Sequence, residues 1–329
     1  MTDPRLDVSR AVLVVTGPTA VGKTGVAIEI ARRVPATLIS MDSALVYLGM
    51  NIGTAKPTPE VLAAHPHALV NIRDPAEPYS AAEFVRDADA QVRQAHAAGR
   101  LPVLVGGTMM YLRAFREGLA PLPQADPEVR AGIAAEAQAL GWRALHEQLV
   151  AVDPEAAANI HPNNPQRLQR ALEVYRITGR PISAFWREQS DAAFDNRLGG
   201  ALCVAGIVPD DRTRLQARID ARFAQMLQQG LVAEVRALKD RGDLSLELPS
   251  MRAVGYRQVW ECLDGGFAES ELAQRGAAAT RQLAKRQLTW LRGWPWVKRF
   301  EWCNSENLAV AILKYFEDNQ ARRGHLELS

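Results

Sequence analysis

The feature that most constrains this chain is an eight-residue run, Gly17-Pro-Thr-Ala-Val-Gly22-Lys23-Thr24, which meets G-x-x-x-x-G-K-[ST] at every fixed position. Upstream of it stands Ala11-Val-Leu-Val-Val-Thr16, short, β-branched and continuously apolar. That is the pattern of a strand buried on both faces. Downstream, Val26 with Ile30 and Ala27 with Ala31 recur at helical spacing within Gly25–Val34. Strand, glycine loop and helix together form a grip for phosphate. Glycines let successive N–H groups turn inward, and the helix N-terminus adds its dipole. Lys23 adds a full charge, and the Thr24 hydroxyl suits Mg²⁺. Gly17, Pro18, Thr19, Ala20, Val21, Gly22, Lys23 and Thr24 are therefore the candidate diphosphate-binding set, with Thr24 as the candidate metal ligand. The motif does not distinguish a nucleoside triphosphate from another diphosphate.

The same grammar continues. Ala36–Met41 reads as a second strand ending at Asp42, and Leu69–Ile72 as a weaker third. Glu83–Ala98 reads as a helix closed by Gly99, and Leu101–Val105 as another buried strand that ends in Gly106-Gly107-Thr108. Alternating strands and helices predict an α/β fold with a P-loop-type, doubly wound parallel sheet. Composition changes at Pro121, Pro123 and Pro127, and from Pro127 to Gln189 the pattern is helical. Asn164 suits an N-cap, Pro165 the first helical position and Gly179 a C-terminal stop, which predicts a helix over Gln166–Thr178. After Gly199-Gly200 the run Leu202–Val208 returns to the sheet. The expected organisation is a discontinuous core, 1–122 and 200–329, interrupted by an all-helical insertion at 123–199.

Composition narrows the class. With 47% hydrophobic and 23% charged residues the chain can pack a core, and it has no apolar run long enough to span a membrane. The run Ala11–Val15 is too short for a signal peptide. Cys203, Cys262 and Cys303 are widely spaced and odd in number, which argues against a zinc ribbon or a disulfide framework and points to a reducing cytoplasm. The net charge of +2 says little about nucleic acid, but its distribution says more. Between Arg281 and Phe300 stand Arg281, Lys285, Arg286, Arg292, Lys298 and Arg299, with no Asp or Glu, among Trp290, Trp294 and Trp296. Such a strip can bind phosphates on a nearly neutral chain.

In open α/β sheets, ligands sit beyond the carboxyl ends of the strands. The tips after Thr16, Met41 and Val105 should therefore bring Lys23, Asp42 and Thr108 together. On pattern alone Asp42 fits a general base, a Mg²⁺ ligand or a helix cap equally well. Arg214, Arg218 and Arg222 share one helix face beside the apolar stripe Leu215, Ile219, Phe223 and Met226. Gln166-Arg167-Leu168-Gln169-Arg170 opens a helix, where cations invite an anionic partner, although a solvated face reads comparably. His65 and His67 lack ligand spacing and a third partner, so no metal is assigned to them.

These stretches together carry a resemblance. GPTAVGKT (17–24), DSALVY (42–47), GMNIGTAKP (49–57), VGGTMMYL (105–112), IHPNNPQRLQRALEVY (160–175), RIDARF (218–223), PSMRAVGYRQVW (249–260) and ATRQLAKRQLTWLRGW (279–294) resemble, in order, the tRNA dimethylallyltransferases, also called tRNA isopentenyltransferases. Without the cysteines of the zinc finger that eukaryotic relatives often carry, the chain resembles the bacterial type. The resemblance implies transfer of a dimethylallyl group from dimethylallyl diphosphate to N6 of the adenosine just 3′ of the anticodon, assisted by Mg²⁺. It implies Asp42 as general base, with Lys23, Thr108 and Arg218 completing the catalytic set. It further implies tRNA contacts from Asp42, Ser43, Ala44, Leu45, Thr108, Arg130, Gln166, Arg167, Leu168, Gln169 and Arg170. Arg252, Gly255, Tyr256, Arg257, Arg281, Lys285 and Arg286 complete that set, and the helical insertion is expected to close over the anticodon loop. Leu45 stands where many members have Gln, and Asn71 where an Asp is common. A cytoplasmic monomer is expected. The competing reading of the loop is a small-molecule kinase, which leaves the C-terminal motifs without a role.

Overall fold

The computed structural model describes residues 10–189 and 193–326. Among them six strands form one sheet: β1 (Ala11–Thr16), β2 (Ala36–Ser40), β3 (His67–Ala68), β4 (Leu101–Gly106), β5 (Ala201–Val208) and β6 (Lys298–Glu301). Their order is β3-β2-β4-β1-β5-β6, and every neighbouring pair is parallel. All carboxyl ends therefore lie along one edge. β1 sits between β4 and β5 with all six residues buried, which is why its sequence is apolar without alternation.

Helices cover the sheet. α1 (Lys23–Arg33) buries Val26, Ala27 and Ile30 in a core that also takes Leu13, Val15, Leu38 and Val103 from the strands. Ala309, Ile312 and Phe316 of the C-terminal helix Ser305–Leu326 complete it. α2 (Pro59–Ala64) is short, and α3 (Ala81–Ala97) opens on a capping box between Ser80 and Glu83 and packs on β2 and β4. α4 (Met109–Glu117) follows β4 directly.

The chain divides into two compact units: the segment up to Arg113 with that from Leu198 onward, and Ala114–Arg197. The second unit starts at Ala114, within α4, ahead of the expected position 123. Phe115 already packs within it against Phe194, 5.5 Å between ring centroids, so the prolines at 121–127 mark an irregular stretch inside the unit. Its helices are α5 (Pro127–Leu140), α6 (Trp142–Val152), α7 (Pro154–Asn159), α8 (Pro165–Thr178) and α9 (Ile182–Glu188), followed by α10 (Phe194–Leu198). Ile133, Leu145, Leu149, Leu168, Leu172 and Phe185 form its core. The remaining helices are α11 (Arg212–Gln228), α12 (Leu231–Lys239), α13 (Tyr256–Leu263), α14 (Leu272–Gly293) and α15 (Ser305–Leu326). No helix among the described residues is long and apolar enough to cross a membrane.

Two expectations about strands need correction. The third strand is His67–Ala68, not Leu69–Ile72, because Leu69 and Asn71 take left-handed backbone conformations (φ +63° and +57°) that end the extension. β6 escapes the sequence pattern because Lys-Arg-Phe-Glu is mostly exposed, as suits a short, charged edge strand.

Candidate active site

The phosphate loop leaves the tip of β1 and enters α1 through Gly22, whose backbone is left-handed (φ +99°). A Cβ at Gly22 would come within 2.5 Å of the Trp302 ring, so glycine is required there on two counts. Ala20, also left-handed at φ +62°, holds the loop in a conformation uncommon for a residue with a side chain. The loop lines a cavity of about 940 Å³. Lys23 Nζ donates to the Pro18 carbonyl at 2.8 Å, which curls the ammonium back over the loop. Burial lowers its pKa to about 8; Asp42 pulls it up, and Arg222 presses it down further.

Asp42 stands at the tip of β2 in the same cavity. Its Oδ1 accepts from the Ala44 and Leu45 N–H groups at 2.9 and 3.4 Å; these bonds close a turn over 43–46 that no helix follows, so Asp42 holds a turn and is not a helix cap. The carboxylate is thereby oriented by its own turn. Thr108, at the tip of β4, accepts from the Ser43 N–H at 3.0 Å and donates to Ser43 Oγ at 3.3 Å. The β4 tip can lie this close only because Gly106 has no side chain: a Cβ there would fall 1.9 Å from the Met41 carbonyl oxygen. Lys23, Asp42 and Thr108 are thus brought together, as strand-tip logic expects.

The arginine row of α11 has three fates. Arg214 pairs with Asp210 at 2.8 Å on the surface. Arg218 lies over the Trp302 ring at 5.3 Å and lines an adjoining cavity of about 890 Å³, with its buried Nε lacking a protein partner. Arg222 lines both cavities and is the arginine that acts electrostatically on Lys23 and Asp42; burial lowers its own pKa. The sequence expectation singled out Arg218, which shares the adjoining cavity with Ala20 and Gly22 of the phosphate loop; Arg222, one turn on, lines that cavity and the one that holds Lys23 and Asp42. The stripe beside the row, Leu215 and Ile219, packs on Ala284 and Leu288 of α14 and fixes which face turns inward.

Lys56 is a second cation that the sequence reading missed. Its Nζ donates to the Tyr47 carbonyl and to Asn71 Oδ1, and burial lowers its pKa to about 8. Asn71 therefore gives this ammonium a neutral partner. The loop that carries Lys56 is held by Glu234 of α12, whose carboxylate accepts from the N–H groups of Asn51, Ile52 and Gly53 at 2.9–3.2 Å and from the Tyr256 hydroxyl. In all, the larger cavity is lined by Lys23, Lys56, Arg222, Arg252 and Arg286 against one carboxylate, Asp42. Ile28, Val61, Met226, Val254, Leu283 and Trp290 supply an apolar portion. Such a cavity accepts a strongly anionic head with a small hydrocarbon attached.

Other expected contact residues fall in three groups. Asp42, Ser43, Ala44, Leu45, Thr108, Arg252 and Arg286 line the larger cavity, while Lys285 and Arg257 are exposed. Arg252, Arg257 and Arg281 carry carboxylate partners in Glu247, Glu261 and Asp220. In the helical unit, Gln166 and Arg167 are exposed at the start of α8. Arg130 and Arg170 instead hold the fully buried Glu173, at 2.9 and 2.6 Å; burial opposes its charge, but these bonds and the Asp126 N–H keep its pKa below the usual value. Leu168 is wholly buried in the core of that unit and Tyr256 wholly buried against Glu234, so neither presents a surface to RNA. Gly255 is likewise buried, its N–H donating to Gln258.

The family model described as IPP transferase matches residues 45–294. A tRNA dimethylallyltransferase 2 of Hahella chejuensis is 54% identical over 292 residues, covering 86% of this chain and 88% of that protein. Among solved structures, the full-length tRNA isopentenylpyrophosphate transferase of Bacillus halodurans is similar with a TM-score of 0.69 and 35% identity, over 96% of this chain and 99% of that one. A eukaryotic dimethylallyltransferase acting on tRNA shares the fold, with a TM-score of 0.74 at 24% identity over 89% of this chain and 74% of that chain. A family match over most of the chain, relatives of this identity and an intact strand-tip site agree: the chain belongs to the tRNA dimethylallyltransferase (IPP transferase) family of prenyltransferases.

Proposed function

We propose that the protein transfers the dimethylallyl group of dimethylallyl diphosphate to N6 of the adenosine 3′-adjacent to the anticodon in tRNA, with Asp42 as general base. The observation that carries the reading is the single cavity in which Lys23 and Arg222 face one carboxylate, Asp42, beside an apolar lining. In the reaction the allylic carbon–oxygen bond breaks and the carbon bonds to N6. The N6 proton passes to Asp42, and pyrophosphate leaves. An adenine amine is a weak nucleophile because its lone pair is delocalised, so a carboxylate within hydrogen-bond reach serves the step. Charge accumulates on the leaving pyrophosphate, where the loop N–H groups, Lys23 and Arg222 act most strongly in the transition state. The target base must leave its stack to reach Asp42, as single-stranded loops permit.

Mg²⁺ fits the donor set, since the Thr24 hydroxyl and the Asp42 carboxylate line one cavity with the phosphate loop, and Mg²⁺ ordinarily combines a few protein oxygens with substrate phosphates. When bound it would neutralise charge on the diphosphate. Arg252, Lys285 and Arg286 in the core unit, and Gln166 and Arg167 at the start of α8, are the exposed groups that suit an RNA backbone. The reading is tested by mixing protein, Mg²⁺, labelled dimethylallyl diphosphate and unmodified tRNA. Label should enter tRNA without ATP. Brisk ATP hydrolysis with no prenyl incorporation would instead support the kinase reading.

A further inference from the structure

Gln287 of α14 is a buried polar side chain to which the reaction as described gives no role. Its amide joins two loops that are far apart in sequence. The Thr19 N–H of the phosphate loop donates to Oε1 at 2.8 Å, and Nε2 donates to the Gly107 carbonyl at 2.8 Å. The oxygen end meets a backbone donor and the nitrogen end a backbone acceptor, which fixes the orientation of the amide. The fit is close enough to dictate its neighbour: a Cβ at Gly107 would lie 2.6 Å from Nε2, 3.1 Å from the Gly17 carbonyl oxygen and 3.4 Å from Lys23 Nζ.

The two loops are the two halves of the site. One holds the diphosphate. The other leads into Thr108, which is bonded to Ser43 beside Asp42. We infer that Gln287 is a positioning residue that sets the spacing between the diphosphate grip and the base, and that it does so from the helix that also carries Lys285 and Arg286. This rests on the function proposed above. Misplacement of reacting groups by about 1 Å can cost on the order of a hundredfold in rate. A buried amide bonded at both ends is a stiff way to prevent it, because leaving either backbone group unpaired is costly.

The experiment uses the full chain with Gln287→Met and Gln287→Glu. Met keeps the length and removes both bonds. Glu keeps the acceptor for Thr19, but when ionised it opposes the Gly107 carbonyl; when protonated it restores a donor there. For Gln287→Met, kcat should fall and the KM for dimethylallyl diphosphate should rise, each on the order of tenfold, with tRNA affinity within twofold of wild type. For Gln287→Glu, burial raises the new carboxyl's pKa and the neighbouring Lys23 ammonium lowers it; wherever the midpoint falls, activity relative to wild type should recover as pH falls, because only the protonated form donates to Gly107. If Gln287 were only structural, the folded fraction and melting temperature would drop while kcat and KM per folded molecule stayed within twofold, and that result overturns the proposal. A fall in tRNA affinity with an unchanged donor KM would also overturn it. Binding of Mg²⁺–pyrophosphate by calorimetry is measured in parallel. It should weaken in Gln287→Met even if the wild-type chain shows no transfer to tRNA, which separates failure of this inference from failure of the proposed function.

Discussion

Lys23 yields a prediction whose sign and size follow from its surroundings. Its pKa in the empty site is about 8, against an ordinary 10.5, because burial outweighs the attraction of Asp42 and Arg222 adds repulsion. The difference corresponds to about 3 kcal/mol held against the ammonium, at about 1.4 kcal/mol per pH unit. A bound diphosphate supplies the missing negative charge and restores the ordinary protonation state. The sign follows from proton uptake. Below pH 8 the ammonium is present in both the free protein and the complex, so this group contributes to affinity but gives it no pH dependence. Above pH 8 the free protein has lost the proton and the complex has kept it, so binding takes up a proton and affinity falls by up to about tenfold per pH unit. Lys56, also near 8, lines the same cavity and adds to the slope. Calorimetric titration of Mg²⁺–pyrophosphate from pH 6.5 to 9.5, in the wild type and in Lys23→Met, isolates the term by difference, which also cancels the ligand's own titration. The substitution should weaken binding by about two orders of magnitude at pH 7 and remove about one unit of slope above pH 8. Equal slopes in the two proteins would refute the reasoning.

Other perturbations separate neighbouring roles. Asp42→Asn should reduce prenyl transfer by about 10²- to 10⁴-fold while pyrophosphate affinity stays within a few-fold; collapse of that affinity would make Asp42 a metal ligand. Arg222→Gln should lower kcat by about tenfold to a hundredfold and exceed the effect of Arg218→Gln, because Arg222 lines the cavity that holds Lys23 and Asp42 whereas Arg218 lines the adjoining one; the reverse order in steady-state kinetics would contradict the site described. Arg167→Ala should reduce the salt dependence of tRNA binding by a little under one unit of log–log slope without changing thermal stability. Arg170→Ala should lower the melting temperature, because it takes a hydrogen-bonded cation from the buried Glu173.

The four inner strands β1, β2, β4 and β5 were legible because they are buried and read as apolar runs that need no alternation, whereas the more exposed edge strands β3 and β6 were misplaced or missed. The phosphate loop was legible because backbone geometry dictates its glycines. Less could be read where several residues obey one local pattern. Arg214, Arg218 and Arg222 are equivalent by helical spacing, and only the packing of Leu215 and Ile219 on α14 decides which of them faces Lys23. Arg130 and Arg170 look like a cationic surface until the buried Glu173 is in place, and Glu173 carries no mark of burial in the sequence. Gln287 and Glu234 act on backbone groups distant along the chain, at 180 or more positions for each. A side chain that bonds to backbone leaves no complementary residue type to search for. The motifs ATRQLAKRQ and GYRQ drew attention to the right segments, but Tyr256 proved to be a buried strut for the loop of Lys56, not an exposed ring.

The most direct test of the central claim is mass-spectrometric nucleoside analysis of tRNA after incubation with the protein, Mg²⁺ and dimethylallyl diphosphate, with released pyrophosphate counted in the same reaction. The account predicts one N6-dimethylallyladenosine per tRNA, adjacent to the anticodon, matched one for one by pyrophosphate and formed at least about a hundredfold more slowly with Asp42→Asn. Pyrophosphate release without prenylated nucleoside, or prenylation undiminished in Asp42→Asn, would contradict it.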